Sequence, residues 1–433
     1  MDPTPSRRQL LAGGAALSAG LVGGVAVAPA KWLPGPVARE RAELRPVPEL
    51  DVNPPVSTAH ADAGRAALQD VIGRAERAVE RVPADATPPG IVEPAQSLDS
   101  ARDYATDAEG ATWEALGQVR LGATAAGRAI GAARVMTGEA SGQALAARAR
   151  DIQSRIEAVR DGVDYEVGSA SAGLARLYWV ERLLALGYLN SYRDGTYAGQ
   201  DDPTTEYDDR DVVSTWASHH AARRYVDDAT WLARDYRVGL DETTALRDHV
   251  ETAERALRSD ARACTPDAEE FDRVQTDLDA MEPGPYRTFR GQVFAARQNA
   301  DVRRPRGPWA GVALYRAVEN AETVLTCRGC DYAREQGTLD PGESVSGTTL
   351  ATAKREGLRL LARHRRAGAD RPLLAVLLRE PRRLLWAGDL ELKRRGRHDV
   401  DHPAARAYAT YLRAVGYLRA VPEVTARLDR PDS

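Results

Sequence analysis

The chain has 433 residues, of which 43% are hydrophobic, so it is long enough for two or three average domains without disulfide support. Aromatic residues make up 6% and only three are Phe, which argues against a large β-sandwich or β-barrel. With 28% charged residues and a formal net charge of −4, the composition is typical of a globular protein and excludes a bulk polyanion or polycation.

The first thirty residues have the pattern of a targeting segment. The sequence Ser-Arg-Arg-Gln-Leu-Leu at residues 6–11 leads into an uncharged, Gly- and Ala-rich run that ends at Ala30. Paired arginines before such a run resemble the twin-arginine export signal, over this segment only. The resemblance implies a chain that folds before export and works outside the cell or at its surface. An uncleaved N-terminal anchor is the alternative, and we expect no transmembrane helix in the mature chain.

The distribution of proline separates a spacer from a helical body. Seven prolines crowd into residues 29–55, which predicts an extended, Pro-rich linker over residues 31–56. Prolines are then absent from 95–202, and apolar residues such as Leu68 and Val71 recur at steps of three and four. Because alternating strand patterns are hard to find, we predict an all-α fold.

The body contains an internal repeat. Four segments recur in the same order, at offsets of 174 to 183 residues: 67–79 with 245–257, 117–119 with 291–293, 183–185 with 360–362, and 219–225 with 402–408. We therefore predict a tandem duplication, with related helical halves at 57–236 and 237–420 and a C-terminal tail at 421–433. Each half is expected to form antiparallel helical bundles or a solenoid-like stack.

The motifs of several common enzyme classes are absent. No Lys follows Gly, no His precedes Glu, and neither a G-x-S-x-G nor a G-x-G-x-x-G pattern occurs. These absences exclude the phosphate loop, the H-E-x-x-H zinc helix, the hydrolase elbow and the dinucleotide turn. These absences do not exclude an enzyme, but we expect no cofactor and favour binding or scaffolding over catalysis.

The three cysteines permit several chemistries. Cys327 and Cys330 are three residues apart, and Cys264 is the third. In an oxidising exterior a disulfide within the pair, or from Cys264 to one of its members, is the simplest interpretation. A zinc site completed by His and a redox role are the alternatives.

A second candidate for metal binding lies at residues 398–402. His398, Asp401 and His402 supply imidazole and carboxylate ligands that suit Zn²⁺ or Cu²⁺. Pro403 follows immediately, so Asp401 or His402 is more simply an N-terminal helix cap, and this interpretation is preferred.

The repeat contains one pair of residues that could bind an anion in each half. His219 and Arg223, and likewise His402 and Arg406, are four residues apart and therefore share a helical face. The alternative is that the tyrosine of each motif packs in the core while the polar residues are solvated.

Positive charge is concentrated late in the chain. Residues 354–397 carry a net charge of +9, whereas residues 31–353 carry −14. The basic patch, represented by Arg365, Arg366, Arg382 and Arg383, is either a solvated helix face or a surface for a protein or anionic partner. Nucleic acid is not expected, because aromatic residues are sparse in this stretch.

These features lead to two functional hypotheses. The first is an exported helical binding or scaffold protein at or outside the cell surface, with homo-oligomerisation as an option. The second is an exported small-ligand carrier or enzyme. Its site would lie between the two halves and use the His/Arg pairs or the metal candidate.

Overall fold

The computed structural model describes residues 45–50, 52–86, 93–167, 170–191, 208–237, 244–302, 312–337, 339–340, 342–368, 371–393 and 402–428. Within these residues the chain forms fourteen helices and one pair of two-residue strands. The prediction of an all-α fold is confirmed.

The first half contains six helices: α1 (Thr58–Val79), α2 (Pro94–Asp107), α3 (Trp113–Met136), α4 (Gly142–Asp161), α5 (Ala170–Leu189) and α6 (Asp209–Arg237). Strand β1 (Glu166–Val167) lies between α4 and α5 and pairs antiparallel with β2 (Thr244–Ala245), which precedes the second half.

The second half contains eight helices: α7 (Arg247–Cys264), α8 (Ala268–Ala280), α9 (Pro285–Val302), α10 (Ala313–Gln336), α11 (Gly347–Ala367), α12 (Pro372–Leu377), α13 (Arg379–Lys393) and α14 (Pro403–Leu428).

The two halves share one packing arrangement. In the first half α3 packs against α1, α2 and α6, and α6 also contacts α4 and α5. In the second half α10 packs against α7, α9 and α14, and α14 also contacts α11 and α13. Helices α8 and α12 of the second half have no counterpart in the first half. The predicted tandem duplication is therefore present as a repeated order of helix contacts.

The repeated sequence segments do not have the register of this structural repeat. Residues 117–119 lie in α3 and their match in α9, although the counterpart of α3 is α10. The match of 67–79 with 245–257 and the match of 219–225 with 402–408 do join corresponding helices, but out of register. Ala67, for example, is well inside α1, whereas Ala245 precedes α7. Ala, Leu and Arg are frequent in this chain, so short matches arise between positions that are not equivalent.

A glycine sets the closest approach of the two central helices in each half. A Cβ on Gly131 of α3 would lie 2.9 Å from Trp216 Cβ of α6, and one on Gly329 of α10 would lie 2.6 Å from the Arg413 carbonyl oxygen of α14. Any larger residue would push the helix pair apart. Both glycines are thus required by helix packing.

One hydrophobic core joins the halves. Helix α5 packs against α10 and α12, and buried residues from Ile152 to Leu428 belong to a single cluster. A smaller cluster lies mainly between α1, α2 and α3 and includes residues of α4 and α6. The chain therefore folds as two related units with a shared interior.

A buried carboxylate also connects the two halves. Glu181 of α5 is 2% exposed and accepts a hydrogen bond from the Tyr315 backbone N–H at 2.5 Å, in the first turn of α10. The Tyr165 hydroxyl donates to the same carboxylate and accepts from the Ala313 N–H at 3.1 Å. Residues of the first half therefore cap a helix of the second.

This cap predicts a pH-dependent stability. Burial raises the pKa of Glu181 to about 7, above its ordinary value of 4.5. The stability that protonated Glu181 contributes is fully present below pH 4.5 and is lost as the pH rises through 7. The complete loss lowers the free energy of unfolding by about 3 kcal/mol. The E181Q variant cannot ionise at this position, so its stability should not fall in this way. Urea unfolding of the unaltered chain and of E181Q, compared from pH 4.5 to 8, tests this. Parallel pH profiles for the two proteins would contradict the assignment.

The described part of the Pro-rich linker is extended but packed against the body. The Arg45 carbonyl accepts from Lys354 Nζ at 2.6 Å, the Pro48 carbonyl from Arg382 Nε at 2.9 Å, and the Val52 carbonyl from Trp179 Nε1 at 3.2 Å. From residue 45 the segment is therefore not the free spacer that its prolines suggested. Proline fixes φ, but exposed carbonyls remain available to side-chain donors.

The predicted tail at 421–433 is wrong at its start, because α14 continues to Leu428 with Pro422 inside it. A proline at this position removes the backbone hydrogen bond to the Leu418 carbonyl. His364 Nε2 of α11 lies 2.8 Å from that carbonyl oxygen and supplies the missing donor. Val421, Val424 and Leu428 are buried, so packing also favours continuing the helix.

Candidate functional site

Arginines from four helices of the first half meet around residues 216–223 of α6. Arg74 comes from α1, Arg134 from α3, Arg148 from α4 and Arg223 from α6. They are close enough that each of the other three lowers the pKa of Arg148. We call these four residues the arginine cluster.

Trp216 of α6 organises the cluster. The Arg134 guanidinium lies 4.6 Å from the indole centroid and that of Arg148 lies 4.1 Å from it, and both contacts are within cation–π range. Arg148 Nη2 also donates to His220 Nε2 at 3.2 Å, so His220 carries its proton on Nδ1. The position of the Arg148 side chain is thus fixed from two sides.

Glycines of α3 make room for this arrangement. A Cβ on Gly127 would lie 2.8 Å from the His220 ring, and Gly131 plays the same part beneath Trp216. The α3 backbone therefore approaches α6 closely enough to bury both rings, which are 2% and 5% exposed. The Gly-rich sequence of α3 is what allows α6 to present the arginine-binding aromatic residue.

The electrostatics of the cluster are dominated by positive charge. Burial, and then the charges of Arg223, Arg74 and Arg134, lower the pKa of Arg148 to about 9. Burial and the Arg148 charge also lower the pKa of His219 to about 4 and that of His220 well below its usual range, so both imidazoles are neutral at pH 7.

The nearby carboxylates compensate only part of this charge. Asp151 pairs with Arg223 at 2.7 Å and Asp70 pairs with Arg74 at 2.9 Å. In the described segments no carboxylate lies within ion-pair distance of Arg134 or Arg148. Two carboxylates therefore face four guanidinium groups.

The cluster also contains hydrogen-bond donors without acceptors. The Nε–H groups of Arg74, Arg148 and Arg223 are buried, and no acceptor reaches them among the residues that the structure describes. An unsatisfied buried donor costs about 1–3 kcal/mol, and more when it belongs to a charged group. An oxyanion would satisfy both the unmatched charge and the unmatched donors.

The structure brings together only part of the sequence-predicted binding set. His219 and Arg223 belong to the arginine cluster region, where His219 Nε2 donates to the Ser191 carbonyl at 3.1 Å. His402 is exposed and immediately precedes α14, and Arg406 is half-buried in its first turn. The partners of His219 and Arg223 all lie in the first half, so the predicted site between the halves is not formed by these four residues.

The sequence could not identify Arg74, Arg134 and Arg148, because they come from three other helices and meet only through packing. The one local signal was Trp216, three residues before His219 on the same helix. An aromatic residue beside a predicted anion-binding pair indicates a surface on which guanidinium groups stack.

The four residues of the predicted basic patch have different environments. Arg365 and Arg366 are exposed in the last turn of α11. Arg382 is half-buried and binds the Pro48 carbonyl, and Arg383 forms two hydrogen bonds to Glu380 at 2.6 and 2.8 Å. Two of the four charges are therefore occupied by contacts within the protein.

The cysteines are placed in the second half. Cys264, at the end of α7, is bonded to Cys327 of α10, with a Cα–Cα distance of 6.1 Å. Cys330 is a buried thiol, and burial raises its pKa. Of the sequence alternatives, the structure contains the disulfide from Cys264 to one member of the pair.

The metal candidate is only partly described. His398 and Asp401 lie outside the described residues, and His402 contributes its backbone carbonyl to the first turn of α14. Within the described ranges no group of three or more His, Cys, Asp or Glu residues is placed to hold a metal ion.

None of the described helices is both long and apolar enough to span a bilayer.

Comparison with known proteins divides the chain where the structure does. A family model described as a domain of unknown function, DUF8262, matches residues 59–243, and a second, DUF8264, matches residues 243–430. Each match corresponds to one helical half, and the two meet just before β2. No curated protein and no solved structure matches the chain.

Proposed function

We propose that the protein is an exported helical binding protein, and that its first half holds an anionic group in the arginine cluster. The observation that carries the proposal is the Arg148 guanidinium, which lies 4.1 Å from the Trp216 ring among three further arginines and whose buried Nε–H has no acceptor among the described residues. Unmatched charge of this kind destabilises a protein unless a ligand of opposite sign occupies it. Oxyanions such as phosphate, sulfate or a carboxylate suit planar guanidinium donors.

The second half supports the exported part of the proposal. The Cys264–Cys327 disulfide is of a kind that persists in oxidising compartments. Together with the resemblance of residues 6–11 to the twin-arginine signal, it favours a location outside the cytoplasm. A scaffold that carries no ligand is the alternative within the same class.

Binding is tested by calorimetry on the full chain, with phosphate, sulfate and succinate as separate probes. We expect at least one of them to bind and R148M to weaken that binding at least tenfold, because the variant keeps the apolar stem but removes the charge. The matched control is R150M, two residues further along α4, where the side chain is exposed. Equal affinities for R148M and R150M, or no binding of any probe, would reject the proposal.

Export is tested by cell fractionation. We expect the R7K/R8K variant to remain in the cytoplasm while the unaltered chain leaves it, since the resemblance depends on the paired arginines. An unchanged distribution would reject export by this route and leave the binding proposal to its own test.

A further inference from the structure

Four arginines form a stripe on the outer face of α11. Arg355, Arg359, Arg363 and Arg366 follow one another at steps of four, four and three, so they share one side of the helix over about 16 Å. The opposite side is buried in the core: Leu350, Ala353, Gly357, Leu360, Leu361 and His364. Arg359, Arg363 and Arg366 are exposed and Arg355 is half-buried. We call the four arginines the α11 stripe.

Most of this charge is unpaired. Arg359 pairs with Glu356 at 2.8 Å, and the same carboxylate reaches Arg419 at 3.4 Å. No carboxylate of the described segments lies within ion-pair distance of Arg355, Arg363 or Arg366. The exposed arginines without an ion-pair partner among the described residues therefore lie on α11, whereas Arg383 is paired with Glu380 and Arg382 is half-buried against the Pro48 carbonyl.

The first residue that the structure describes, Arg45, contacts α11. Lys354, the residue before Arg355, holds the Arg45 carbonyl at 2.6 Å. Residues 31–44 separate that point from the uncharged run that ends at Ala30, and fourteen residues extend at most about 50 Å. Where the uncharged run is retained as an anchor, the bilayer that holds it lies within about 50 Å of residue 45.

A neighbouring helix exposes an aromatic residue. Trp386 of α13 is 53% exposed, and Leu385 beside it packs against α11, where a Cβ on Gly357 would lie 2.7 Å from the leucine side chain. Tryptophan is enriched at the level of lipid headgroups, where its ring has one apolar and one hydrated side. An exposed Trp is less easily explained by an acidic polymer in water.

We propose that the α11 stripe docks the protein on an anionic lipid bilayer. The attraction is electrostatic and depends on phosphate-bearing headgroups. It is independent of the arginine cluster, which lies in the other half.

The test is co-sedimentation of the full chain with vesicles of phosphatidylcholine alone, or with 30% phosphatidylglycerol in roughly 0.05 M salt. Because each arginine near such a surface contributes about fivefold to binding, we expect R363E/R366E to lower the partition coefficient on anionic vesicles at least twentyfold. The matched control R128E/R273E makes the same change of charge at exposed positions on α3 and α8 and should leave it within twofold. Circular dichroism checks that both variants are folded.

Three results would overturn the proposal. The first is an equal loss of vesicle binding in R363E/R366E and R128E/R273E, which would mean that only net charge matters. The second is equal binding to neutral and anionic vesicles, which would assign the binding to the uncharged run. The third is capture by polyglutamate but not by anionic vesicles, which would identify the partner as an acidic polymer.

Discussion

Replacing Lys354 by methionine should lower the free energy of unfolding by about 3–5 kcal/mol. Lys354 is fully buried, and its ammonium group contacts Asp389 at 2.8 Å and the Arg45 carbonyl at 2.6 Å. Asp389 also accepts from the Tyr411 hydroxyl at 2.6 Å. Without the lysine a buried carboxylate retains its charge and loses its cation, so the cost is that of an uncompensated ion.

Urea unfolding monitored by circular dichroism measures this loss. The control is K393M at the end of α13, where an exposed lysine should contribute no more than about 0.5 kcal/mol. Removing both charges in K354M/D389L should recover much of the stability, since an apolar pair of similar volume is tolerated. If K354M costs no more than K393M, the buried contact is not formed as described.

The second large effect is expected at Asp228, which joins three helices of the first half. Its carboxylate lies 3.0 Å from His60 Nε2 of α1 and 2.6 Å from Arg120 Nη1 of α3. Asp228 and His60 are 3% and 1% exposed. D228A should therefore cost about 3–5 kcal/mol, because it leaves the Arg120 charge without its anion in a largely buried site.

Thermal or urea unfolding of D228A can be compared with that of D103A, where the aspartate is exposed on α2. D103A should stay within about 0.5 kcal/mol of the unaltered chain. The two variants remove the same group, so equal stability would show that Asp228 does not join α1, α3 and α6 in solution.

The fold was largely predictable because helical periodicity is a local property. Steps of three and four residues identified the helices. The matched segments led to the prediction of a duplication, although two of the four join helices that are not counterparts. The register of the repeat was not predictable from short matches. It depends on the contacts of α3 with α6 and of α10 with α14, which the sequence does not display.

The candidate site was predictable only where one helix supplies it. His219 and Arg223 follow from a four-residue spacing, whereas Arg148 enters through the packing of α4 against α6. Lys354 is a similar case, because a lysine on an apolar helix face gives no sign of the buried aspartate it meets. The path of residues 45–50 and 52–53 was missed because side-chain donors from distant helices determine it.

The central claim is that the arginine cluster binds an anion, and crystals of the full chain soaked in tungstate test it most directly. Tungstate is an oxyanion with strong anomalous scattering. We predict an anomalous peak within about 4 Å of the Arg148 guanidinium and beside at least one of Arg74 and Arg223. This peak should be absent from R148M crystals. Peaks only at exposed arginines, with the cluster empty in the unaltered chain, would contradict the account.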